Sequence, residues 1–107
     1  MKIENTKAQM RKGILEYCIL SVLSKKERYP SEIIEALKNA KLIVVEGTLY
    51  PLLTRLKNAK YLEYRWVEST SGPPRKYYSL TKEGEKFRSE LEETWTQLQG
   101  AVEQLTK

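Results

Sequence analysis

The 107-residue chain has no histidine. The commonest general base and metal ligand is therefore missing. Its glycines, at 13, 47, 72, 84 and 100, stand alone, so no phosphate-cradling loop is present. Carboxylates are scattered over faces that read as solvent-exposed, without the clustering a metal ion needs. These absences argue against an enzyme and imply no cofactor and no metal. A single cysteine, Cys18, excludes an internal disulfide framework and fits a reducing compartment. It lies on an apolar helical face with no fixed cation beside it, which reads as a buried, inert thiol rather than a redox sensor. No stretch approaches the roughly 20 apolar residues of a membrane span. The first residues, Met1-Lys-Ile-Glu-Asn-Thr-Lys7, lack the apolar core of a signal peptide. Internal repeats and low-complexity segments are also absent. The expectation is a cytoplasmic protein with no membrane partner.

Forty per cent of the residues are hydrophobic and 31% charged, an ordinary globular balance. A chain of this length reads as one domain with a modest core, which dimerisation would help to stabilise. The net charge of +5 is unevenly spread. Residues 1–80 hold 15 Lys and Arg against 8 Asp and Glu; residues 81–107 hold 4 against 6. A basic body with a mildly acidic tail fits a polyanion partner for the body and a different task for the tail.

One stretch, Glu46 to Ala59, organises the rest. Leu49, Leu52, Leu53 and Leu56 recur at i, i+3, i+4 and i+7, one face of a helix. Thr48, Tyr50, Thr54, Arg55, Lys57 and Asn58 occupy its other faces, with no acid beyond Glu46. An ordinary amphipathic surface helix would account for this pattern. So would a helix that enters the major groove of DNA, which needs an apolar anchor behind donors facing bases and phosphates. Pro51 requires the helix to begin near Glu46 or Gly47.

Before this helix, residues 6–24 read as a first helix, with Met10, Ile14, Leu15, Cys18, Ile19, Val22 and Leu23 on its apolar stripe. Pro30 and Ser31 open a short second helix that faces inward with Ile33, Ile34 and Leu37. Leu42–Val45 is a connector or a small strand. Helix, helix, connection, helix is the order of a helix-turn-helix domain. After it, residues 61–68 alternate, with Leu62, Tyr64 and Trp66 on one side. Ser69–Pro74 is dense in loop formers, and Arg75–Leu80 resumes as a strand. The result is a hairpin with a basic tip, Arg75 and Lys76, in the position of the wing of a winged helix. Thr81 caps a final helix running to about Leu105. Phe87, Leu91, Trp95, Leu98, Val102 and Leu105 form a heptad-type seam on it, longer than a three-helix body can cover. A symmetric homodimer through that seam is expected. The fold class is mainly α with a small β-hairpin, a winged helix-turn-helix over residues 1–80 plus a C-terminal dimerisation helix over 81–107.

Gly47-Thr-Leu-Tyr-Pro-Leu-Leu-x-Arg-Leu56, followed by Tyr61-Leu62, resembles the signature of the PadR family of bacterial transcriptional regulators. Gly72-Pro-Pro-Arg-Lys-Tyr-Tyr-x-Leu-Thr-x-x-Gly84 resembles the same family's wing and the start of its last helix. The resemblance runs from about Met10 to Leu105, and the single final helix is like that of the short subfamily. It implies a dimer that binds double-stranded operator DNA, usually as a repressor. Carried over by position, Thr48, Tyr50 and Arg55 fall on the recognition helix and Arg75 and Lys76 on the wing. Ser31 falls in a region that touches backbone phosphates in such domains. Thr54 and Lys57 complete the candidate DNA-binding set.

Some short members bind flat hydrophobic compounds between paired tryptophans at the dimer centre. Trp95 falls at that position, with Leu91 and Gln99 beside it and Met10, Gly13, Tyr17 and Leu20 opposite. Gln99 is neutral where drug-binding relatives can carry an acid, and Tyr17 and Leu91 are bulky. Trp95 is therefore either a ligand platform or a large seam residue. A winged-helix protein-interaction module without DNA is the competing functional reading.

Overall fold

The computed structural model describes Met1–Lys107. The order is α1 (Ile3–Lys12), α2 (Leu15–Lys25), α3 (Pro30–Asn39), α4 (Glu46–Asn58), β1 (Leu62–Val67), β2 (Arg75–Leu80) and α5 (Lys82–Thr106). The core forms where three helical stripes meet the base of the hairpin. Leu15, Ile19, Leu20 and Leu23 of α2 pack with Ile33 and Leu37 of α3 and with Leu49, Leu53 and Leu56 of α4. Leu62 and Tyr78 close the cluster from the strands, and Val44 closes it from the connector. Leu52 is only partly buried, so the i, i+4, i+7 set 49, 53 and 56 is the true inner face of α4.

The expected first helix is two helices. Ile14 donates to Arg11 O at 3.1 Å, a tight i to i−3 bond that ends α1, and α2 restarts with Cys18 donating to Ile14 O at 3.0 Å. Gly13 sits at this break, where a glycine costs a continuous helix about 1 kcal/mol relative to alanine. All buried residues of the expected stripe belong to α2; α1 buries none, and Met10 is exposed.

Helices α3 and α4 end alike. Leu42 N–H reaches Leu37 O and Tyr61 N–H reaches Leu56 O, with Lys41 (φ 68) and Lys60 (φ 73) taking the left-handed position. Leu42–Val45 is a connector, and only Val44 enters the core. Pro51 lies in the second turn of α4, so its ring nitrogen denies Gly47 C=O a helical partner. Gly47 is exposed, and water can satisfy that carbonyl.

The strands pair antiparallel from Leu62 with Leu80 to Val67 with Arg75. On its other edge β2 exchanges two hydrogen bonds with Arg28, an isolated bridge that ties the α2–α3 link to the hairpin. Burial alternates along β1 as far as Arg65 and then reverses, with Trp66 61% exposed and Val67 half-buried, because the hairpin projects beyond the body.

Thr81 joins α4 to α5. Its hydroxyl donates to Lys60 O at 2.6 Å and accepts from Gly84 N–H at 2.9 Å, while its own N–H donates to Tyr61 O. Gly84 lies so close to this strand start that a Cβ there would stand 2.0 Å from Tyr61 O. The next turn stacks Phe87 on Tyr61 at 4.2 Å. Beyond Leu91 the 25-residue α5, about 37 Å long, leaves the body.

Candidate nucleic-acid interface

A groove runs between the start of α3, one flank of α4 and the hairpin. Tyr29, Pro30 and Ser31 form one wall, Glu46, Tyr50 and Thr54 the floor, and Trp66, Pro74, Arg75, Lys76 and Tyr78 the other wall. The floor residues are four apart, so successive helical turns present them on one flank. Ser31 is placed by Pro30 at the first turn of α3, where Glu32 accepts from Tyr29 N–H at 3.2 Å.

Aromatic rings hold the cations at the wing. The Arg75 guanidinium lies 4.7 Å from the Tyr29 ring centre, and Tyr29 meets Tyr77 edge-on at 5.1 Å. Lys76 Nζ lies 4.5 Å from the Tyr64 ring and 5.3 Å from Trp66. Such contacts orient the charge without neutralising it, because a ring offers only a quadrupole. At the foot of the hairpin Arg65 makes a two-pronged ion pair with Glu27, with Nε to Oε2 at 3.1 Å. Hydrogen bonding from Arg65 holds the Glu27 carboxyl below its usual range. Burial, with the Tyr64 and Tyr50 phenols nearby, pushes Tyr78 above its ordinary value, so it stays a neutral hydroxyl.

Of the candidate set, Ser31, Tyr50, Thr54, Arg75 and Lys76 share this groove. The other three lie elsewhere. Thr48 lines a separate cavity of about 520 Å³ under α1, with Arg11, Lys12, Leu15, Val44 and Leu52. Arg55 turns toward α2 and pairs with Glu16 at 3.0 Å. Lys57 sits 5.6 Å from the Tyr64 ring and lines a separate recess with Lys60 and Glu63. Helical rotation takes 48 and 55 to the flank of α4 opposite 46, 50 and 54, whereas Lys57 stays on the groove flank but lies beyond Thr54, at the C-terminal end of the helix. Sequence reasoning did not select Tyr29, Pro30, Glu46, Trp66, Pro74 and Tyr78 for the site. Only Glu46 carried a usable signal, its spacing to Tyr50 and Thr54.

The seam residues divide at Leu91. Phe87 and Leu91 pack against the core, whereas Trp95, Leu98, Val102 and Leu105 stand 37%, 54%, 55% and 85% exposed. Among the candidate effector residues, Met10, Gly13 and Gln99 are exposed, and Tyr17 and Leu91 half-buried. Leu20 is fully enclosed in the core of its own protomer and lends no surface to a site between two.

Residues 19–90 match the sequence profile of the Transcriptional regulator PadR-like family. The chain belongs to this family. A PadR-like transcription factor from Bacteroides fragilis is 62% identical, with a TM-score of 0.80 over 95% of this chain and 99% of that one. A PadR family regulator from Eggerthella lenta is 30% identical, with a TM-score of 0.90 over 98% and 92%. Bacillus subtilis PadR, solved in complex with operator DNA, shares the fold at 23% identity and a TM-score of 0.68, over 73% of this chain and 46% of that chain. This PadR-like protein is a winged-helix transcriptional regulator and not an enzyme. No helix of it is long and apolar enough to cross a membrane.

Proposed function

We propose that this PadR-like regulator is a cytoplasmic bacterial repressor that binds a pseudo-palindromic operator as a homodimer. The observation that carries the reading is the groove that joins Ser31, Tyr50 and Thr54 to the cations Arg75 and Lys76. Hydroxyls on α3 and α4 hydrogen-bond phosphates and base edges, and the wing's cations neutralise phosphates alongside. The operator complex of Bacillus subtilis PadR, which has the same fold, supports DNA as the partner. Pairing through the exposed α5 seam presents two recognition helices about 34–36 Å apart, one turn of DNA. The DNA-reading unit is residues 1–80 and the dimer-forming unit 81–107. Thr48, Arg55 and Lys57 act from the flanks of α4, with Arg55 exchanging Glu16 for a phosphate. Trp95, framed by Met10, Gly13, Tyr17, Leu91 and Gln99 where two copies meet, is the place for a planar hydrophobic effector.

The test is fluorescence anisotropy on a labelled duplex from the protein's own promoter. Affinity is expected to fall with salt, with a log–log slope of about −0.9 per phosphate neutralised. Tyr50→Ala should remove the preference for that duplex over random DNA, and Arg75→Ala should weaken both and flatten the slope by about 1. Absence of any binding at low salt would overturn the reading.

A further inference from the structure

The interface groove contains one acidic side chain. Its lining includes Ser31, Tyr50, Thr54, Arg75 and Lys76, and among them only Glu46 is a carboxylate. Glu46 is exposed and takes part in no ion pair and no side-chain hydrogen bond, although two cations line the same groove. It is the first residue of α4 and shares a flank with Tyr50 and Thr54. Near phosphates a carboxylate is repelled, because like charges brought together cost binding energy. The helix N-terminus stabilises the carboxylate in the free and the bound protein alike, so it does not offset that cost. On the duplex the charge needs a donor.

The major groove offers few. Cytosine presents its N4 amine as a donor, whereas guanine shows acceptors at O6 and N7. Adenine has a donor at N6 beside an acceptor at N7, a pair that matches an amide rather than a carboxylate. Resting on the operator-binding reading above, we propose that Glu46 is a specificity-determining residue that selects cytosine at one position of each half-site. It accepts a hydrogen bond from N4, is repelled by the acceptors of guanine and thymine, and is disfavoured at adenine by the N7 acceptor beside the N6 donor. Arg75 and Lys76 then hold the duplex irrespective of sequence, and Glu46 sets which sequence is held.

The experiment is selection from a duplex pool randomised across the operator, with the intact wild-type protein and with Glu46→Gln and Glu46→Ala, each checked by circular dichroism for unchanged helix content. The wild type should select cytosine at one position per half-site. Glu46→Gln should move that position toward adenine, because an amide both donates and accepts, and Glu46→Ala should relax it. Discrimination at that base pair should change by roughly tenfold, the worth of one base contact, with other positions unaltered. A change in affinity that is uniform across all positions, or identical selected sequences for all three proteins, would overturn the assignment. Failure of the wild type to retain any duplex would instead overturn the operator-binding reading itself, and the assignment with it.

Discussion

Gly84 has room for a hydrogen atom and nothing larger. A methyl group there would collide with the Tyr61 carbonyl, a backbone atom that no rotamer change can move aside. Gly84→Ala is therefore expected to cost about 1–3 kcal/mol, as overpacking does, and urea denaturation would measure it. The residue's isolation in the sequence gave no hint of this. Its constraint comes from the end of the α4–β1 turn, far away along the chain. Thr81 was legible for the opposite reason: its capping bond to Gly84 N–H is local, and capping depends on residue type and position alone. Cys18 follows the same rule of locality. Its stripe marked it as inward-facing, and burial pushes its thiol above the ordinary range. The neutral thiol is the favoured form, so the stability this contributes is complete below the ordinary cysteine pKa and is lost as pH rises through the raised one. At pH 8 an aromatic disulfide reagent should label Cys18 slowly in the native protein and rapidly in denaturant. Equal rates would show the thiol to be open.

At the scale of elements, α4 was readable because its leucines repeat with a period no other structure uses. Its role as a three-sided support was not readable. Which flank faces the wing depends on how α4 sits on α2 and α3, and that rotation put Thr48 and Arg55 beyond the groove. The break at Gly13 was missed because apolar residues continue in phase across it, from Met10 to Ile14. Periodicity alone does not show that Met10 has no protein to face. The wing's position was legible from the turn residues, and its anchor was not. Glu27 and Arg65 lie on separate elements and meet only once β2 has paired with Arg28. Because the pair is exposed, Glu27→Gln should leave the melting temperature nearly unchanged. It should weaken DNA binding by freeing the wing to swing. The Glu27 carboxyl is held low, so in the wild type the pair persists as pH falls through the ordinary glutamate range. It is lost only below that range, and the wild-type wing contribution fades with it. DNA affinity measured in both proteins from pH 7 down to below the ordinary glutamate range would check this; an unaltered affinity in Glu27→Gln would show that the wing is held without the pair.

The whole molecule measures 53 × 32 × 23 Å, and the long axis reflects the half of α5 that leaves the body. Heptad spacing made this legible, since a seam longer than its own body needs another surface. In the proposed dimer Leu98→Asp places a charge in that seam. It should yield a folded monomer by sedimentation, with helix content retained and operator binding lost. A dimer that survives the change would overturn the seam. The hydroxyl of Thr81 carries a consequence at this scale. One side chain grips the turn that follows α4 and the first turn of α5 together, and only Thr81 separates β2 from α5. The hairpin and α5 are thus joined without a linker, and in the proposed assembly no joint separates the surface that reads from the surface that pairs. In the proposed dimer each protomer would therefore turn as one lever, and the crossing angle of the two α5 helices would set the distance between the two reading heads.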